Sequence, residues 1–241
     1  MHNVGIIIPT KGNIPLISAC VKSIIEKTSH KPLYFYIADT GSTTEEFNEL
    51  INFIKDNVDK DHIKLIQYDW YHFAGINNDV VWNHVDDFID YLLFCNNDIE
   101  LIDDCITPMV KICSQESVGT VGCKLLYGDD TIQHAGQKFY FKNNSKRPDF
   151  MVTHRGLKDS KDKFSEVDIV FGNTCGFCMI KKSLFEEIGG FNLKYVECFE
   201  DVELNVRCLL MNLDNVYLVS RQGKRPIIAT RMTPWAGALR S

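Results

Sequence analysis

No stretch of this 241-residue chain reaches the ~18 uninterrupted apolar residues needed to span a bilayer, and no basic segment leads into an apolar core at its N-terminus. These absences predict a cytoplasmic protein. An excess of positive charge is also missing: the formal net charge is −6, which argues against broad phosphate-backbone binding and against nucleic acid as a partner. No second cysteine pair or neighbouring histidine accompanies Cys175 and Cys178, so their CxxC spacing is a weak metal or redox signal. The nine cysteines are scattered through apolar segments, among them Cys20, Cys95, Cys113, Cys123 and Cys208, rather than framing loops, and are expected to be reduced core thiols. No internal repeat or low-complexity tract is present, and no glycine-rich, Lys/Arg-bearing phosphate loop follows the first apolar run. What remains is an ordinary globular composition, 45% hydrophobic and 24% charged, sized for one large domain.

Within it, strand and helix patterns alternate. Val4 to Pro9 is a β-branched run stopped by proline, after which Asn13 is placed to cap a helix with Pro15 in its first turn and Leu16, Ile17, Cys20 and Ile24 on its apolar face. Leu33 to Ala38 reads as a second strand, ending at Asp39, Thr40, Gly41 and Ser42. Thr43 and Glu46 then have capping-box spacing, ahead of an apolar stripe at Phe47, Leu50, Ile51 and Ile54. Ile63 to Gln67 is a third strand; a polar and aromatic loop carrying Phe73 to Asn78 leads to a short helix with Trp82 and Val85. The alternation predicts parallel βαβ units with right-handed crossovers in a doubly wound, mostly parallel sheet.

The chain is organised around residues 91–101, where an apolar run too short for a helix stops on Asn96, Asn97, Asp98 and Glu100. A buried strand delivering oxygen ligands at its carboxyl end suits Mg²⁺ or Mn²⁺ with substrate phosphates completing the shell. The same residues equally serve as an Asn/Asp turn. Beyond them, Ile106 to Cys113 reads as a helix, Val118 to Leu126 as a strand, and Tyr127 to Glu166 as long loops or a flap. Strands are expected at Val167 to Phe171 and Phe177 to Ile180, followed by a helix with Ser183 and Glu186 at capping-box spacing, stopped by Gly189 and Gly190. Val202, Val206, Leu209, Leu210 and Leu213 recur at helical spacing, which puts Glu200, Asp201 and Glu203 in a first turn. There they complement the helix dipole, or hold a general base on a rigid element.

Taken together and in order, VGIIIPT (4–10), ADTGS (38–42), FAGINN (73–78), LFCNNDIE (93–100), VGCKLL (121–126), TIQHAG (131–136), EIGGF (187–191) and FEDVEL (199–204) resemble family 2 glycosyltransferases of the GT-A fold, the group that includes rhamnosyl- and galactofuranosyltransferase-like proteins. The resemblance implies an α/β GT-A fold with helices on both faces of a Rossmann-like sheet. It places a single domain over residues 1–220, with a nucleotide-binding half over 1–100, an acceptor-binding half over 101–220 and a basic tail over 221–241. It implies that Pro9, Thr10 and Asp39 line the nucleotide pocket, that the segment containing Gly75 and Asn78 wraps the donor, and that Asn97 and Asp98 reach the nucleotide sugar. The Asp-X-Asp motif aligns with Asn96, Asn97 and Asp98, so Asn96 replaces the first carboxylate, Asp98 becomes the principal ligand for Mg²⁺ or Mn²⁺, and Glu100 is the nearest carboxylate to compensate.

Glu200 and Asp201 resemble the family's Glu-Asp pair, with Asp201 as the base of an inverting transfer and Glu200 beside the acceptor sugar. Residues 172–176 either admit the donor sugar closely or form a tight turn, and His134 is a candidate for a diphosphate contact or a structural histidine. The partners implied are a nucleoside-diphosphate sugar, UDP or dTDP favoured, and a hydroxyl of a cell-surface glycan or glycolipid. The C-terminus departs from the family pattern: no histidine follows His154, and the tail carries Arg221, Lys224, Arg225, Arg231 and Arg240 without acidic residues, which suits peripheral contact with an anionic membrane or a partner chain. Two other classes stay open, a sugar-nucleotide-forming nucleotidyltransferase and an inactive nucleotide-sugar binding module.

Overall fold

The computed structural model describes residues 2–141, 148–157, 168–196 and 198–218. The expected alternation is present. β1 (Val4–Thr10), α1 (Ile14–Lys27), β2 (Leu33–Asp39), α2 (Thr44–Asn57), β3 (Ile63–Gln67), α3 (Phe73–Asn83) and β4 (Tyr91–Cys95) form the first half. α4 (Ile106–Cys113), β5 (Val118–Cys123), β6 (Leu125–Leu126), β7 (Ile132–His134), β8 (Gln137–Phe141), β9 (Pro148–Val152), β10 (Asp168–Val170), β11 (Phe177–Lys181), α5 (Lys182–Glu187), α6 (Glu200–Leu210) and β12 (Asp214–Leu218) follow.

The main sheet has the order β10-β12-β5-β11-β4-β1-β2-β3. β1 to β5 and β12 all point one way; β10 and β11 are reversed, since each pairs antiparallel with its neighbours. β1 therefore has β2 on one side and β4 on the other, and its carboxyl end lies at the switch point where α/β sheets open a ligand crevice. Pro9 is tolerated there because the β4 pairing stops at Ile7, leaving no ladder bond on that side for its missing N–H to break.

Successive residues of the central strands face opposite layers. Ile6, Ile8, Leu93, Cys95 and Met179 pack with α1, α2 and α4, while Ile7, Leu92, Phe94, Cys178 and Ile180 pack with α3, α5 and α6. Residues buried on both faces explain the unbroken apolar runs of β1 and β4. All nine cysteines are free thiols, eight of them buried, as expected from their apolar surroundings; Cys175 and Cys178 are among those eight.

Several local expectations are corrected. Phe73 to Asn78 is the first half of α3, because the His72 Nδ1 accepts the Gly75 amide and caps the helix upstream of the expected start. Asn13 occupies the N-cap of α1 but in the left-handed region, and its side chain makes no capping bond. Thr43 and Glu46 do form the reciprocal box, whereas α5 starts at Lys182 without a side-chain cap, so Ser183 and Glu186 are not one. Val118 to Leu126 is two strands, and the region after Tyr127 includes the β8–β9 hairpin. Leu210 is 77% exposed; α6 buries Val202, Leu204, Asn205 and Cys208 instead. Residues 142–147 and 158–166 of the expected flap, Val167 at the head of the strand expected after it, Val219, and the basic tail over 221–241 lie outside the described residues.

His134, on β7, is 4% exposed; its Nδ1 accepts the Gly136 amide and its Nε2 has no hydrogen-bond partner. Loss of hydration, with the Arg155 charge second, pushes the ring down to about 3, so it is neutral in the folded protein. A folded value below the unfolded one makes His134 contribute stability above the unfolded pKa of ~6.5 and lose it as the pH falls towards the folded value. Between pH 7 and about pH 4.5, urea unfolding should show the wild type losing roughly 2 kcal/mol more stability than His134→Asn, whose amide oxygen can still accept the Gly136 N–H.

Candidate active site

The carboxyl ends of β1, β2 and β4 converge. Thr10 and Asp39 are register partners, and Thr40 donates both its amide and its hydroxyl to the Thr10 carbonyl. The Asn97 Nδ2 donates to the Thr10 Oγ1 at 2.9 Å, tying the turn after β4 to the end of β1. Asp39 is 1% exposed, and its Oδ1 accepts the Ser42 hydroxyl, whose oxygen accepts the Gly12 amide at 2.8 Å. Its carboxylate thus joins the first two strand-to-helix loops; reading the edge of a base would require Ser42 to turn away or a remaining lone pair to be reached.

Asn96, Asn97 and Asp98 form a tight turn in which the Ile99 amide donates to the Asn96 carbonyl at 3.3 Å. The Asp98 Oδ1 is buried without a hydrogen-bond partner, and burial raises its carboxyl above the usual range, against the opposing effect of a backbone N–H. An orphaned oxygen of this kind fits a missing cation. Among the described residues no group of three or more His, Cys, Asp or Glu side chains converges to cage a metal. One carboxylate and a neighbouring carboxamide fit Mg²⁺ or Mn²⁺, which retain water and substrate phosphate in their shells, and do not fit zinc. Glu100 is exposed.

Residues 172–176 join this turn to the second carboxylate pair. The Asn96 amide donates to the Gly176 carbonyl at 2.8 Å, and the Cys175 amide donates to the Asp201 Oδ2 at 3.3 Å. A Cβ on Gly176 would lie 3.3 Å from the Asn96 Nδ2, so the glycine permits the close approach. The Asp201 Oδ1 accepts the Val202 amide at 2.7 Å. Burial raises the Asp201 carboxyl, and the Thr174 hydroxyl with the Val202 and Cys175 amides opposes the rise. Burial also raises Glu200, with Asp201's charge adding to it. Tyr71 is raised by burial and then by the charge of Glu200.

The segment that the resemblance assigns to wrapping the donor opens α3. Asn78 spends its carboxamide on the Phe191 backbone, donating to the carbonyl and accepting from the amide at 2.8 Å each, and so clamps α3 to the end of the Gly189-Gly190 turn. Gly75 lets Trp70 lie against the start of α3: a Cβ there would sit 3.0 Å from the indole. Pro9 is half-buried beside Thr10. The structure therefore brings together Thr10 with Asn97, and Asn96 with Asp201 through residues 175 and 176. Thr174 lies within the 172–176 stretch that the sequence singles out, but its own role beside Asp201 has no signature there, because a single hydroxyl in a loop carries no period to read.

The chain is similar to known proteins in sequence and in fold. Residues 5–189 match the family model described as glycosyl transferase family 2. The O-antigen biosynthesis protein RfbC of Myxococcus xanthus is 27% identical over 205 residues, 85% of this chain and 16% of that protein. The mannosyltransferase PcManGT of Pyrobaculum calidifontis, solved with GDP-Man and Mn²⁺, superposes with a TM-score of 0.62 at 16% identity over 89% of this chain and 54% of that one. GalNAc-T7, solved with UDP, GalNAc and Mn²⁺, gives 0.66 at 13% identity over 90% and 41%. The chain thus spans about a sixth of the curated relative and about half of the first structure. The structural likeness establishes the GT-A fold.

Thr174→Val removes a hydroxyl that stabilises the charged form of Asp201 and should raise its carboxyl pKa further. A ¹³C-carboxyl NMR titration reads this directly; an unchanged value would show that the two backbone amides alone set it.

Proposed function

Because the chain belongs to glycosyl transferase family 2, we propose that it transfers a sugar with inversion from a nucleoside diphosphate, UDP or dTDP favoured, to a hydroxyl of a cell-surface glycan or glycolipid. The observation that carries this is the hydrogen bonding of residues 175 and 176 to both the turn that carries Asp98 and the Asp201 carboxylate, where a donor's diphosphate and an acceptor's hydroxyl would meet. The acceptor class takes support from the O-antigen function in the relative's name. The nucleotide does not follow from the fold, since one neighbour was solved with a guanine and the other with a uracil nucleotide.

Asp201 takes the proton from the acceptor hydroxyl as that oxygen attacks the anomeric carbon from the face opposite the diphosphate; the bond to the diphosphate oxygen breaks and the nucleoside diphosphate leaves. A raised pKa makes Asp201 a stronger base than a solvated aspartate. Glu200 orients the acceptor's remaining hydroxyls, and Thr10 with Asn97 holds the nucleotide side of the pocket; Pro9 and Gly75 shape its walls, and Asp39 and Asn78 hold the surrounding loops and helix in register. Asp98, with Asn96, would hold Mg²⁺ or Mn²⁺, which when bound neutralises charge on the leaving diphosphate. With Asn96 in place of a carboxylate the loaded site would keep one more positive charge, which favours a diphosphate over free cation binding.

Calorimetry with UDP, dTDP, GDP and CDP, each with Mn²⁺ or chelator, tests the assignment. One nucleotide should bind in a metal-dependent manner, Asp98→Ala should weaken it at least tenfold, and Asp201→Asn should spare it while lowering kcat by roughly 10²- to 10⁴-fold, the usual worth of a general base. As the pH falls through the raised Asp201 value, kcat should drop, because protonation removes the base. Pyrophosphate release would mark nucleotidyl transfer; nucleotide binding with neither hydrolysis nor transfer would mark an inactive binding module.

A further inference from the structure

Four polar side chains, Thr120 on β5, Asn173, Asn205 on α6 and Asn215 on β12, are completely buried and bonded to one another beneath the Asp201 turn. Asn205 is the hub. Its Oδ1 lies 2.7 Å from the Thr120 hydroxyl and accepts the Asn173 amide at 3.2 Å; its Nδ2 donates to the Asn173 carbonyl at 2.8 Å and to the Asp201 carbonyl at 2.6 Å. These four bonds use the full capacity of a carboxamide. Asn215 backs the hub, donating to the Asn205 and Phe171 carbonyls and lying with its Oδ1 3.0 Å from the Thr120 hydroxyl.

The consequence is geometric. Asn205 fixes the backbone of Asp201 to residue 173, and two residues further along the same loop the Cys175 amide grips the Asp201 carboxylate. Both ends of the aspartate are thus tied to one five-residue loop. Stability alone does not call for this arrangement: a buried polar lattice is at best even with apolar packing of equal volume, and here the Asn173 Oδ1 is left without a partner. Directional bonds supply what apolar packing lacks, a defined orientation.

We propose that Asn205 is a positioning residue for the transfer reaction, its carboxamide setting the attitude of the Asp201 carboxylate without touching substrate. The proposal rests on Asp201 being the base. Its test compares wild type, Asn205→Leu, Asp201→Asn and the double variant, with Thr120→Val as a milder lesion that removes one of the hub's partners. The readouts are the Kd for the nucleotide with Mn²⁺, thermal unfolding, and kcat and KM for release of nucleoside diphosphate from UDP- and dTDP-hexoses.

Asn205→Leu should unfold cooperatively and bind nucleotide within twofold of wild type, with donor KM unchanged and kcat lowered at least tenfold; Thr120→Val should lower kcat severalfold. The double variant should be no slower than Asp201→Asn, since a misplaced base cannot matter once the base is gone. A kcat within twofold of wild type, a slowing that adds to that of Asp201→Asn, or nucleotide affinity falling in proportion to kcat would overturn the proposal in favour of a general structural role. Should Asn205→Leu fail to fold, Thr120→Val and its double variant with Asp201→Asn decide by the same criteria. Asp201→Asn as fast as wild type would instead overturn the base assignment, and the positioning role with it.

Discussion

Two adjacent residues, Cys175 and Gly176, connect the halves of this site through their backbone. The Gly176 carbonyl receives the Asn96 amide, and the Cys175 amide meets the Asp201 carboxylate. The connection exists because β11 runs antiparallel to β4: its first residue, Phe177, pairs with the last residue of β4, Cys95, so the loop that enters β11 arrives at the sheet edge where β4 ends. A parallel strand at that position would have delivered its exit loop there instead, with a crossover helix to accommodate. The single reversal at the centre of the sheet is what lets a segment from the second half of the chain close over the turn that carries Asp98.

Burial has opposing consequences for the carboxylates so connected. Asp98, Glu200 and Asp201 are all raised, chiefly by desolvation, so each resists ionisation. For Asp201 the sign is explicit: a folded value above the unfolded one means that ionisation costs stability as the pH rises through the interval between them. Three donors, the Thr174 hydroxyl and the Cys175 and Val202 amides, limit that cost. Asp98 has an oxygen with no such donor, which suits a position to be filled by a cation rather than by the protein itself.

The frame was legible in the sequence for physical reasons. Strands buried on both faces are continuous apolar runs, and β1, β2 and β4 stand out as such; α1 and α2 show their stripes, and Thr43 with Glu46 makes the reciprocal cap that its spacing announced. The start of α3 was misplaced because its cap, His72, is unconventional; Asn13 does sit at the head of α1, but in the left-handed region and without using its side chain. The stripe on α6 was misjudged because Leu210 is apolar yet exposed, while the polar Asn205 is fully buried.

That last exchange shows why the deeper part of the site was not legible. Asn173 and Asn215 look like loop or strand-edge residues when met singly, and Asn205 looks like an interruption in an amphipathic helix; each is buried only because the others satisfy it. Their partners within the network lie 10 to 95 positions away, from Asn205–Asn215 to Thr120–Asn215, and on different elements, beyond the reach of a helix or strand period. An apolar core can be inferred residue by residue, since each side chain gains from burial on its own. A buried polar lattice has no such decomposition, because each carboxamide is unfavourable until its neighbours are in place. The polarity that hides it from a pattern search is also what gives it directional bonds, and these reach the Asp201 backbone where apolar contacts would leave the first turn of α6 free to slide against the loop.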